Sequence, residues 1–346
     1  MAQKGPGKAH RQGISLMELT ERFPDEQSAV RWFEALVWPN GERTCPRCGS
    51  AETREASKSS GLPYYCSACK RAFSVRIGTA MERSKVPLRK WVFAIYLEMT
   101  SLKGVSSMKL HRDIGVTQKT AWFMLHRIRE AWANGRVWRF AGPVEADETF
   151  IGGKRKNMPL SKRKAMGKAG RGAVGKAVVA GVKDRDSNRI SADVVRGTDA
   201  LSLQGFVLDR VMADAKLYTD ESRSYNGIKL DREAVNHSVS EYVRGQAHTN
   251  GIESFWAMLK RGYHGTYHHI SEKHLHRYVA EFAGRHNVRD CDTIEQMISV
   301  VIGMVGKRLM YRDLIAEPEE EPLEEWIARE TVRVHGEACA LSRIPW

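Results

Sequence analysis

Apolar and polar positions alternate with two different periods along this chain. In Ile252 to Lys260 the apolar residues Ile252, Phe255, Trp256 and Leu259 recur at i, i+3, i+4 and i+7, which predicts a helix with one buried stripe. Glu253 and Lys260 lie two turns apart on the flank of that stripe, and Asn250 stands at the helix start, where Asn is a favoured cap. Helical spacing also runs through Ser28 to Val37, broken by Pro39-Asn40-Gly41, and through Leu88 to Met99. Gly104 to Ala131 reads as a helix-turn-helix: Ser106 to Ile114, a turn at Gly115, then Val116 to Ile128 capped by Thr117. From Val144 the period becomes that of strands. Val144 to Ile151, Ala177 to Val182, Arg189 to Val195, Lys216 to Asp220 and Glu233 to His237 are the expected strands, with an amphipathic helix from Asp199 to Ala213 after the third. A helical region from Ser271 to about Ile315 follows, and the Glu/Pro-rich tail from Glu317 reads as a loosely attached appendage.

That order predicts an α/β chain of several parts: a tail and short helical segment (1–40), a small metal ribbon (41–80), a helical domain (84–138), a mixed-sheet domain (140–300) and a C-terminal helix with an acidic tail (301–346). The first three strands form an antiparallel meander, and the first and fourth pair in parallel at the centre. Asp147 and Asp220 then come side by side, with Glu253 laid across them by the last helix.

Composition sharpens the picture. Lys and Arg exceed Asp and Glu by 55 − 41 = 14, and the acids gather at the C-terminus, so a polyanion such as DNA is the favoured partner. The stretch from Lys154 to Lys176 is basic without one acid and reads as a mobile loop for phosphate contact, led by Lys154, Arg155 and Lys156. No apolar run approaches the roughly 18 residues that span a bilayer, and the basic, Gly-rich start lacks a secretory core, so a cytoplasmic, reducing setting is expected. Four of the six cysteines form Cys45-x-x-Cys48 and Cys66-x-x-Cys69, a pattern for a closed, structural Zn2+ site rather than disulfides. Gln118, Lys119 and Trp122, near the start of the second helix of the helix-turn-helix, are the candidate DNA contacts there.

Three carboxylates converging on one sheet edge repel unless cations sit between them, so Asp147, Asp220 and Glu253 suggest a divalent-metal site. Glu148 is a decoy, since strand alternation turns it to the opposite face from Asp147. Lys260, next to Arg261, would hold a phosphate.

The runs Asp147-Glu148-Thr149-Phe150-Ile151-Gly152-Gly153-Lys154, Thr219-Asp220 and His248-Thr249-Asn250-Gly251-Ile252-Glu253, with Lys260-Arg261-Gly262, resemble the DDE domain of bacterial insertion-sequence transposases that carry an N-terminal zinc ribbon before an RNase H-like domain. The likeness implies Mg2+ (or Mn2+)-dependent cleavage of double-stranded DNA at element ends, with two ions, followed by 3′-OH strand transfer in a homo-oligomer. It places the acids on Asp147, Asp220 and Glu253 and the lysine on Lys260. Asn250, one turn from Glu253, stays open as the third ligand. A non-catalytic DNA-binding regulator and an RNase H-like nuclease or resolvase are the competing functions.

Overall fold

The computed structural model describes residues 12–133, 139–153, 157–165, 175–235, 249–317 and 321–335. It divides into two units, one of residues 1–135 and 288–316, the other of residues 136–287 and 317–346.

The first unit opens with α1 (Leu16–Arg22) and α2 (Glu26–Val37). Each starts on a side chain that accepts an N–H three residues on, Ser15 from Glu18 and Asp25 from Ser28. An antiparallel sheet of β1 (Thr53–Glu55), β2 (Tyr64–Cys66) and β3 (Arg71–Phe73) follows. Its flanking turns bring all four cysteine Sγ atoms within 4.8 Å of one another, with Cys45 to Cys69 and Cys48 to Cys66 both at 3.7 Å. A tetrahedral zinc with Zn–S near 2.3 Å requires S···S separations of about 3.8 Å. The thiols fit that ion. Tyr64 and Phe73 are buried beside Trp38, ring against ring, and give the ribbon the small core it has.

Helices α3 (Leu88–Thr100), α4 (Ser107–Ile114) and α5 (Gln118–Arg129) complete the chain-continuous part of this unit. The predicted Thr117 cap is present and accepts from the Thr120 N–H, Ser106 proves to be the cap of α4 rather than its first residue and accepts from the Lys109 N–H, and Gly115 turns between the helices at φ 60°, where glycine is unstrained. Met124 to Arg129 is buried, so α5 turns only its N-terminal end outward. From much later in the sequence, α10 (Thr293–Met304) inserts Met297, Val300, Val301 and Met304 into the same core, and α11 (Tyr311–Ile315) follows it.

The second unit is a five-stranded sheet in the order β6-β5-β4-β7-β8. β4 (Val144–Ile151), β5 (Ala177–Asp184) and β6 (Ile190–Val195) form the antiparallel meander, while β7 (Lys216–Asp220) lies parallel to β4 and β8 (Asp231–Val235) parallel to β7. This is the mixed, RNase H-like arrangement that the element order predicts. Helix α7 (Ala200–Arg210), capped by Asp199, covers one face. Helices α8 (Asn250–Gly262) and α9 (Glu272–Asn287) cover the other.

Two details differ from the sequence reading. The basic stretch after Gly153 contains a short helix, α6 (Leu160–Ala165), rather than only loop. The described part of the tail is not loose: α12 (Leu323–His335) docks on α7, with Glu330, Thr331 and Val334 buried. Hydropathy misses this because two of those three inward residues are polar. Gly205 makes room for the carboxylate, since a Cβ there would stand 2.1 Å from Glu330 Oε2. No helix among the described residues is long and apolar enough to cross a membrane.

The ribbon has too little apolar area to fold without its ion, so one zinc per chain is expected by elemental analysis. Cys66→Ser should abolish it and raise proteolytic sensitivity between residues 41 and 80. Full zinc retention in Cys66→Ser would refute the four-thiolate site.

Candidate active site

Strand β4 positions the site by simple alternation. On the face toward α8, Glu145 Oε2 accepts the Ile252 N–H at 2.9 Å, and Asp147 Oδ2 accepts the Trp256 indole N–H at 3.0 Å. On the opposite face Glu148 Oε2 accepts the Tyr225 hydroxyl at 2.9 Å, within the cluster under α7. Asp147 and Glu148 therefore point to different sides of the sheet.

Gly181 is the direct partner of Asp147 on β5. It has no side chain because Trp256 occupies the place: a Cβ at Gly181 would fall 2.6 Å from the indole Cη2. The indole lies over this bare strand position and reaches Asp147 with its N–H. Trp256 is also 4% exposed, a core residue as its place in the apolar stripe predicts.

On the other side of β4, the parallel pairing with β7 sets Glu145 opposite Tyr218. Two residues further along both strands, Asp147 comes level with Asp220. Asp220 is held by its own turn, Oδ1 accepting the Ser222 N–H at 3.1 Å and its carbonyl accepting from Arg232 at 2.9 Å. Burial, then the charges of Glu148 and Asp220, push the Asp147 carboxyl up to about 7. Burial and Asp220 also raise Glu148, against the lowering effect of the Tyr225 hydroxyl. A carboxylate so destabilised is what a bound divalent cation would relieve, and Asp147 with Asp220 fits that role.

The helix over this site is pinned by Glu145. Its carboxylate is buried, pairs with Arg185 Nε at 2.9 Å, and accepts one of the N–H groups left without a partner in the first turn of α8. Gly251 permits the approach: a Cβ there would be 2.7 Å from Glu145 Oε2. The helix begins at Asn250, so the cap position belongs to Thr249, and Asn250 is an exposed first residue rather than the cap. Glu253 is exposed one turn on, and its Oε1 accepts from Thr249 Oγ1 at 3.1 Å. Lys260 and Arg261 are exposed in the last turn. Asp147 and Asp220 are thus brought together. Glu253 does not join them at ligand distance: among the described residues, the cysteines form the one group of three or more candidate ligands with all donor atoms within 4.8 Å of each other.

The other predicted contacts lie elsewhere. Lys154, Arg155 and Lys156 fall outside the described residues. In the first unit, Gln118 Nε2 donates to Ser107 Oγ at 2.8 Å, Lys119 Nζ sits 4.5 Å from the Tyr311 ring centre, and Trp122 is half-buried against His126.

Residues 139–287 match the ISXO2-like transposase domain, and residues 24–72 match the transposase zinc-ribbon domain. A protein in the transposable element ISH50 of Halobacterium salinarum is 30% identical over 277 residues, covering 77% of this chain and 92% of that relative. The chain belongs to the ISXO2-like transposases. A transposase-like protein of Haemophilus influenzae is 27% identical over 120 residues, 34% of this chain and 94% of its own length. In this transposase the matched domain runs from before β4 to the end of α9, so Asp147, Asp220 and Glu253 all lie within it, and the ribbon match contains all four cysteines.

Sequence reasoning placed Trp256 in the buried stripe but missed its hydrogen bond to Asp147, and it missed Glu145, Gly181 and Tyr225. Glu145 had a signal, standing two residues before Asp147 on the same strand face. Gly181 had a weaker one, a glycine inside a strand. Nothing in the sequence linked Tyr225 to Glu148.

The raised Asp147 carboxyl has a measurable consequence. Its folded-state value lies above the ordinary 3.8, so its contribution to stability is full below about pH 3.8 and is lost as pH rises through about 7. Metal-free Asp147→Asn should therefore melt above wild type at pH 8, by roughly 2–4 °C per kcal/mol recovered, with the difference closing toward pH 4. A lower melting point for the variant at pH 8 would contradict this electrostatic reading. Gly181→Ala should displace the indole and cost about 1–3 kcal/mol, read by denaturant unfolding.

Proposed function

We propose that this transposase binds double-stranded DNA at the ends of its element, cleaves a strand there with Mg2+ or Mn2+, and joins the freed 3′-OH to target DNA. The observation that carries the reading is the placement of Asp147, in the middle of the central strand β4, beside Asp220, the last residue of the parallel strand β7, with the Asp147 carboxyl pushed up by burial and by its acidic neighbours. When bound, two divalent ions would supply Lewis-acid activation of the attacking oxygen and charge stabilisation of the leaving one. Asp147 and Asp220 would hold the metal, and the Trp256 N–H fixes the rotation of the Asp147 carboxylate. Glu253 would supply the third ligand from the exposed flank of α8, with Asn250 the alternative. Lys260 and Arg261 contact phosphate on the same helix. Lys154, Arg155 and Lys156 add charge along the strand, Gln118, Lys119 and Trp122 serve recognition in the first unit, and the zinc ribbon is structural. The protein acts in the cytoplasm, and two ends are joined by a homo-oligomer.

The test is cleavage of labelled DNA carrying the flanking ends. Asp147→Ala and Asp220→Ala should lose at least about 100-fold in rate while still binding, and Trp256→Phe should lose about 10-fold, as expected for an outer-shell hydrogen bond. Glu148→Gln should retain activity. Loss in Glu253→Ala but not Asn250→Ala assigns the third ligand to Glu253, and the reverse moves it to Asn250. Tight, specific binding without any metal-dependent cleavage by wild type would leave a DNA-binding regulator instead.

A further inference from the structure

A cleft of about 340 Å³ opens in the first unit beside the outward end of α5. Arg83, Lys85, Lys119 and Arg127 line it together with the rings of Phe123 and Tyr311, and none of its lining residues is acidic. The cations and rings alternate. Lys119 Nζ is 4.5 Å from the Tyr311 ring centre, Tyr311 meets Phe123 edge to face at 5.6 Å, and the Arg127 guanidinium lies 4.1 Å from the Phe123 centre. Arg127 is 5% exposed and is anchored by its Nε on the Leu309 carbonyl at 3.2 Å. Arg83, whose nearest acid is Glu82 at 4.0 Å, is two-thirds exposed at the rim.

Cation–ring contacts by themselves can simply fasten α11 to α5. They do not account for a void at the small end of ligand-sized cavities, roughly 300–1,000 Å³, surrounded by four like charges. Lys85 adds to those charges from an exposed position and has no carboxylate partner among the described residues. Flat aromatic faces beside clustered cations match one chemistry: a base with its phosphate.

We propose that this cleft holds a single unpaired nucleotide of the bound DNA, its base against Tyr311 and Phe123 and its phosphate on Arg83, Lys85 and Lys119. The proposal rests on the DNA-binding reading above and adds to it that the first unit takes a strand end or extruded nucleotide, not duplex alone. An unpaired nucleotide reaches such a cleft at little cost, because no base pair must be broken.

The test uses the full chain and two short duplexes of the same sequence, one blunt and one with a single unpaired 2-aminopurine at a 3′ end. Wild type should bind the second about tenfold more tightly and quench its fluorescence. Tyr311→Ala should remove both the quench and the preference while leaving affinity for the blunt duplex unchanged. Lys85→Ala, an exposed change that cannot unfold the core, should weaken the preference in a salt-dependent way. Equal wild-type affinity for the two duplexes, or an undiminished quench in both variants, would overturn the assignment. Binding to neither duplex would instead overturn the DNA-binding reading on which it rests.

Discussion

Placing three carboxylates within four residues of the middle strand is the constraint on which the sheet unit depends. Glu145, Asp147 and Glu148 stand on β4, and each meets a different answer. Glu145 is matched by Arg185 and by the N-terminus of α8. Glu148 is matched by the Tyr225 hydroxyl. Asp147 receives only neutral N–H groups, from Trp256 and from the Glu148 backbone, while the charges acting on it are acids. A hydrogen bond to a charged group contributes about 1.5–3 kcal/mol, less than the cost of withdrawing a carboxylate from water among like charges. The unmatched carboxyl therefore sits where a cation would find it.

The same residues organise the helix above the sheet. Glu145 sets the start of α8, Gly181 and Gly251 leave the two gaps it needs, and Trp256 closes over Asp147. The apolar stripe of α8 supplies the burial energy, and the carboxylates supply the register. Sliding α8 along the sheet would break the Glu145 and Asp147 hydrogen bonds together. The exposed flank with Glu253, Lys260 and Arg261 thereby takes a defined place beside the sheet edge.

The first unit solves a different problem. Its ribbon has few apolar residues and relies on four thiols fitted to one ion, while its helical part borrows α10 from a distant stretch of chain to finish its core. With the inner half of α5 buried, its outward chemistry is confined to the first turns. There, cations and rings from α5 and α11 meet around one cleft.

Local pattern by itself determined the element types, the cap at Thr117, the Gly115 turn, the thiolate set and the nearness of Asp147 to Asp220. Each depends on spacing along one segment or on strand order, and both are written in the residues. Tertiary structure alone decided which polar residues turn inward. Glu330 docks α12 and Glu145 fixes α8, although hydropathy marks both for solvent, because their partners lie 125 and 107 residues away at Gly205 and Ile252. The start of α8 at Asn250 was likewise decided by Glu145, since a carboxylate supplied from another strand satisfies the first turn and makes a local Asn cap unnecessary. The distance of Glu253 from the Asp147–Asp220 pair is also tertiary, set by how α8 lies on the sheet and not by the spacing of acids in the chain.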